Sequence, residues 1–164
     1  MRSLCVHSGA GSPIRPIAHV FAPIASSISL QGGNPTVPLG DSLEIVGNGA
    51  TQGSYTPSAT TTGSGTILLD GQPVTFSGLE PVTVSAMLDF QVITPSSHDV
   101  ITIDRPVPGR NRVTGTSDAV AFESLTFFDV QRFTLNTGLA DGTTAQSSAD
   151  SITIASPGLD ASGL

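Results

Sequence analysis

Two stretches of this chain are copies of each other. Residues 74–103 (VTFSGLEPVTVSAMLDFQVITPSSHDVITI) and 125–154 (LTFFDVQRFTLNTGLADGTTAQSSADSITI) align without a gap at an offset of 51, and ten of the thirty positions are identical. The shared residues include Thr75/Thr126, Phe76/Phe127, Asp99/Asp150, Ile101/Ile152 and Ile103/Ile154. Self-similarity over such a length is the mark of a supersecondary unit that buries its apolar face only by stacking on a further unit. The closing motif occurs a third time upstream, so that Asp41, Leu43 and Ile45 match Asp99, Ile101, Ile103 and Asp150, Ile152, Ile154. Its pattern, Asp-x-apolar-polar-Ile, has a period of two, which places both apolar side chains on one face of a strand. The Asp at the strand start suits two roles: it can accept backbone N–H bonds in the preceding turn, or it can ligate a cation.

Further alternating runs at 65–70, 74–76, 82–84, 120–122, 125–127 and 133–135 are separated by turn signals: Gly47-Asn48-Gly49, Asp70-Gly71, Pro108-Gly109, Asp141-Gly142 and Pro157-Gly158. Many short strands divided by glycine and proline turns predict an all-β fold. Successive motif strands start 24 to 34 residues apart (positions 43, 67, 101, 125 and 152), a spacing suited to the coils of a parallel β-helix or β-solenoid. An antiparallel β-sandwich with 51-residue halves is the alternative. The expected organisation is an N-terminal segment, 1–27, without stable order, followed by a β repeat domain over 28–164. Its units cover about 41–98, 99–149 and a partial 150–164.

Composition narrows the function classes. The chain has a net charge of −7 and no lysine, its basic residues being Arg2, Arg15, Arg105, Arg110, Arg112 and Arg132. Nucleic acid is therefore not an expected partner, because affinity for a phosphate backbone grows with the number of cations that neutralise it. A single thiol, Cys5, rules out an internal disulfide framework and a cysteine zinc site. No apolar run approaches the ~20 residues of a membrane-spanning helix. The stretch 18–25 (AHVFAPIA), followed by Ser26-Ser27, has some export-signal character, but Pro16 and Pro23 interrupt it.

Candidate chemistry is sparse. His7, His19 and His98 lack metal-ligand spacing, and His98 next to Asp99 reads as an exposed turn residue. There is no Gly-x-Ser-x-Gly elbow, and a phosphate loop would need a lysine. The acid pairs Asp99/Asp104 and Asp118/Glu123 are five residues apart and so face opposite sides of an unbroken strand, while Asp129 and Arg132 could meet across a bend. No catalytic, cofactor or metal residue is assigned. The most distinctive local feature is the proline-bounded loop 105–112, which gathers Arg105, Arg110 and Arg112. It is a candidate contact for an acidic glycan or a carboxylate-bearing partner, since the guanidinium fork matches a carboxylate; equally, its arginines can pair with the chain's own acids.

With these motifs in place, residues 41–154 resemble the repeat regions of very large secreted bacterial proteins, such as adhesins and planctomycete surface proteins, in which units like VTFSGLEPVTV and DVITI recur. The resemblance implies a non-enzymatic structural or adhesive module, extracellular or at the cell surface, with glycans or other surface proteins as partners. It also brings calcium into question, yet no Gly-Gly-x-Gly-x-Asp run occurs, and residues 115–120 (GTSDAV) lack its glycine-rich turn. The short stretch after the last motif predicts an open, uncapped coil, as in a fragment of a longer protein or in a chain whose end pairs with another copy. The alternative function is a polysaccharide-binding or polysaccharide-cleaving β-helix module.

Overall fold

The structure is a computed structural model and describes residues 2–7, 17–20, 28–32, 41–79, 81–141 and 149–164. Among the described residues twelve strands are formed: β1 (Arg2–His7), β2 (Ile17–Val20), β3 (Ile28–Gln31), β4 (Ser42–Pro57), β5 (Ser64–Leu69), β6 (Gln72–Ser77), β7 (Val82–Ile93), β8 (Asp99–Val107), β9 (Arg110–Ser117), β10 (Val120–Ala121), β11 (Leu125–Asn136) and β12 (Ser151–Ile154). A 3₁₀ turn over Ala161–Gly163 follows the last strand. The all-β class expected from the turn-punctuated alternation is what the chain adopts.

The strands make one mixed, unclosed sheet in the order β12-β8-β9-β11-β7-β4-β5-β6-β3, with β1 paired to β4, β2 to β1 and β10 to β9. Its centre is a stack of three long parallel strands, β4, β7 and β11. Leu43, Val82 and Leu125 share one rung, and Ile45, Val84 and Phe127 share the next rung on the same face. All six side chains are buried, so the period of two buries one face while Glu44, Thr83 and Thr126 alternate to the other. Burying each of these side chains is worth about 1.5–3 kcal/mol, which makes the rungs the main source of stability in the stack.

Each long strand bends at one place. Ala86 in β7 and Asp129 in β11 have φ of 55° and 53°, and Gly49 in β4 has φ of 77°. A left-handed residue breaks the alternation and redirects the strand, as β-bulges do. Beyond the bend the rungs resume with Thr51, Met87 and Val130, then Gly53, Phe90 and Phe133, then Tyr55, Val92 and Leu135. Gly47 lies where β4 and β7 approach closely, since a Cβ there would sit 2.3 Å from the Ala86 carbonyl oxygen.

Hairpins leave the stack on both sides. β5 and β6 turn at Asp70-Gly71, both with positive φ, as a two-residue hairpin requires. β8 and β9 turn at Pro108-Gly109, and Asp118-Ala119, again both with positive φ, joins β9 to the short β10. Within residues 1–27, β1 and β2 form an antiparallel pair, and β1 lies against the first half of β4. The export-signal stretch 18–25 falls mostly outside the described residues.

The 51-residue repeat divides in the structure. Its second half is paired as aligned: β12 lies parallel to β8 with Ile152 opposite Ile101 and Ile154 opposite Ile103. Its first half is not, because Leu125 and Phe127 pair with Val82 and Val84, an offset of 43 (125 − 82), rather than with Val74 and Phe76 in β6. The coils of 24 to 34 residues read from the motif spacing are corrected in the same way: β4 to β7 is an offset of 39 (82 − 43) at the first rung. The physical reason is that Val74–Phe76 and Val82–Val84 carry the same apolar alternation eight residues apart, and only the latter precedes a strand long enough to match β11.

The paired copies of the motif also have unlike surroundings. Ile101 is 1% exposed, whereas Ile152 and Ile154 are 50% and 58% exposed. β12 is the last strand of the sheet, so its apolar side chains cover Ile101 and Ile103 without being covered in turn.

Candidate functional site

The loop carrying the three candidate arginines is the β8–β9 hairpin, and each arginine engages a group of the chain itself. Arg112 forms a two-point fork on Asp104, its rung partner across the hairpin, with Nε at 3.0 Å from Oδ1 and a terminal nitrogen at 2.5 Å from Oδ2. Such forks are the strong form of ion pair because two parallel bonds fix the geometry. Hydrogen bonding to Asp104 raises the Arg112 pKa further above its ordinary value. Arg105 reaches Asp160 at 3.5 Å. Arg110 lies over the Phe128 ring, 4.1 Å from its centroid, a cation–π arrangement that joins β9 to β11.

Asp160 is the organising residue of this face and carries no signal in the sequence pattern. Its Oδ2 accepts the Gly109 N–H at 2.8 Å, and its Oδ1 accepts both the N–H and the hydroxyl of Ser162, at 3.0 and 2.6 Å. Bonding to the Gly109 N–H, then to Ser162, holds its carboxyl down at about 2. The wholly buried Asn111 side chain grips the Asp160 backbone from both sides: its Oδ1 accepts the Asp160 N–H at 2.7 Å, and its Nδ2 donates to the Asp160 carbonyl at 3.1 Å. The C-terminal turn is thereby clamped onto the arginine hairpin. In the sequence, only the turn glycine Gly109, two residues before Asn111, could have hinted at such a clamp.

The motif aspartates form a second polar cluster. Asp99 is wholly buried, and its Oδ2 accepts the Thr94 hydroxyl at 2.5 Å. The Asp99 N–H donates to Asp150 Oδ1 at 3.0 Å, so the carboxylate of one copy holds the backbone of the other. That refines the sequence reading, in which each Asp served the turn before its own strand. Thr94 in turn donates its N–H to the Asn136 carbonyl at 3.1 Å, tying the ends of β7 and β11 together.

The other pairs considered from sequence fall apart. Asp104 is taken by Arg112, and Arg132 contacts Asp89 on β7 rather than Asp129. Glu123 is buried and Asp118 exposed in a turn, while His98 is exposed. His7 and His19 lie in β1 and β2. The Gly115–Val120 stretch is split by the β9–β10 turn. Glu123, which sequence reading treated only as half of an acid pair, stands two residues before Leu125 as Asp99 stands before Ile101; Glu80 has the same place before Val82 in the sequence. An acid two positions ahead of the first inward residue thus precedes five strands, and the motif count from sequence found three. One more buried polar group stands near Glu123: burial of the Tyr55 hydroxyl, reinforced by the Glu123 charge and opposed by a hydrogen bond to the Glu123 backbone, raises its pKa above the ordinary range.

No family model matches this chain, and no curated protein or solved structure is similar to it. Among the described residues no helix is long and apolar enough to cross a membrane.

Proposed function

We propose that the chain is a non-enzymatic structural or adhesive repeat module of a secreted or cell-surface protein. Its long strands act as successive coils of a β-solenoid, and its last strand is the face that accepts another β-strand. The observation that carries this reading is the β8/β12 pair: one copy of the motif already binds the next in register, and the outer edge of β12 offers the same alternation again. Support for the extracellular setting comes from the acidic, lysine-free, Ser- and Thr-rich composition and from the resemblance of the repeat motifs.

The partner favoured by the geometry of β12 is a second copy of the chain. Ala155 donates its N–H inward to the Ile103 carbonyl, so by alternation the N–H groups of Ile152 and Ile154 point to the free edge. An antiparallel two-fold pairing centred on Thr153 would set Ile152 opposite Ile154 of the other copy, with all four isoleucines on one face. The strand has no lysine, proline or inward charge of the kind that blunts exposed edges. Sedimentation over a concentration series tests the reading. The wild type should dimerise, and Ile154→Pro, which removes an outward donor while leaving the inward ladder, should stay monomeric with unchanged circular dichroism. A wild type that remains monomeric throughout contradicts the proposal, and acidic-glycan binding lost in Arg110→Ser would favour the polysaccharide-binding alternative.

A further inference from the structure

In-register stacking of identical strands places identical side chains on neighbouring rungs, about 4.8 Å apart at the backbone. For Ile101 and Ile152 this is favourable. For the motif aspartates, two residues before these isoleucines, it brings the Asp150 carboxylate onto the backbone N–H of Asp99, 3.0 Å away, so that two acidic residues meet where the strands begin, an arrangement that like charges oppose.

The surroundings of Asp99 sharpen the difficulty. Its side chain is wholly buried on the face that also carries Ile101 and Ile103, and only Oδ2 is satisfied, by Thr94. Oδ1 is buried without a hydrogen-bond partner. A buried carboxylate oxygen left unpaired, on a residue whose backbone holds a second carboxylate, is costly unless a positive charge offsets it. Arg105, Arg112 and Arg132 are engaged on Asp160, Asp104 and Asp89, and Arg110 on Phe128.

We infer that Asp99 and Asp150 bind a hard divalent cation, with calcium the ion that fits, between the β8 and β12 copies of the motif. All nearby donors are oxygens: the free Oδ1 of Asp99, the Asp150 carboxylate, the Thr94 hydroxyl and the Asn136 carbonyl, to which that hydroxyl lies at 3.4 Å. Calcium takes carboxylate, carbonyl, hydroxyl and water oxygens in variable geometry, while magnesium insists on a tight octahedron and keeps its waters. Among the described residues no three His, Cys, Asp or Glu side chains gather, so two carboxylates with neutral oxygens and water make an exchangeable site. The ion staples the edge strand to the sheet, which the half-exposed isoleucines of β12 do only weakly. This inference does not depend on the structural or adhesive reading.

Thermal unfolding of the whole chain, in EDTA and in calcium, tests it together with calcium titration calorimetry. Wild type should gain about 5–10 °C when calcium is a hundredfold above its dissociation constant, and magnesium should do less at equal concentration. Asp150→Asn keeps an oxygen for the Asp99 N–H but removes the charge; it should fold as judged by circular dichroism and lose calcium affinity at least tenfold. Asp99→Asn should behave alike. The inference is overturned if wild type does not respond to calcium. It is equally overturned if Asp150→Asn keeps the full response.

Discussion

Ile101 and Ile152 are the same residue at the same place in two copies of one motif, and they sit on adjacent strands in register, so replacing each by alanine isolates the effect of covering. At Ile101, 1% exposed, the change removes buried methyl groups and leaves a cavity walled by β9 and β12. Such losses run to 2–5 kcal/mol, and about 3 kcal/mol is expected here. At Ile152, 50% exposed, only about half of the transfer free energy is at stake and solvent fills the space. A loss of about 1 kcal/mol follows. For a chain of this size the two values correspond to melting-point drops of about 6–12 °C and 2–4 °C. Urea unfolding followed by circular dichroism gives both free energies, and equal slopes would show that the same surface is exposed in each case. Losses that are equal within error, at protein concentrations where the chain is monomeric, would refute the placement of β12 as an uncovered edge strand.

Tyr55 is the only tyrosine, and there is no tryptophan, so its phenolate absorbance reports on one site. Burial favours the neutral phenol and raises its folded pKa above the unfolded value near 10. The associated stability is present below about pH 10 and lost as pH rises beyond it, so ionisation should coincide with alkaline unfolding; a phenolate forming near pH 10 in the folded chain would contradict this. Asp160, held at about 2, contributes stability that is present above its unfolded pKa near 3.9 and lost as pH falls from about 4 to about 2. Melting points measured across that window should fall less steeply in Asp160→Asn than in wild type; parallel curves would remove Asp160 from the clamp.

The parts of the fold visible in the sequence were those written in period two. The inward sets Leu43/Ile45, Val82/Val84, Ile101/Ile103 and Leu125/Phe127 are all buried, and the turns at Asp70-Gly71 and Pro108-Gly109 close hairpins. Register was legible only where a single alternating strand carried the motif, as in β8 and β12. Val74–Phe76 and Val82–Val84 present the same pattern, and identity counting favoured the one that matched Thr126 and Phe127 by letter over the one that pairs with them. The bend at Ala86 left no trace, since alanine seldom takes a positive φ, while Asp129, of a type more often found there, drew notice only as a partner for Arg132. At the polar sites, sequence found the arginines and the motif aspartates as residue types. It missed the Asp160–Asn111 clamp, 49 residues apart, because that contact depends on the C-terminal turn folding back onto a hairpin. Burial of Asp99 was hidden for the same reason, as it is set by the ends of β7 and β11 rather than by its neighbours in sequence.

The stacking of β7 on β11 at an offset of 43 sets the centre of the fold, and a disulfide-trapping experiment reads that register directly. In a Cys5→Ser background, Thr83→Cys with Thr126→Cys places two thiols on opposed rungs of parallel neighbours about 4.8 Å apart, within the range a disulfide spans. Mild oxidation should crosslink that pair rapidly and leave Thr75→Cys with Thr126→Cys reduced. Crosslinking of the Thr75 pair in place of the Thr83 pair would show that the strands stack at 51 and that the central three-strand stack is wrong.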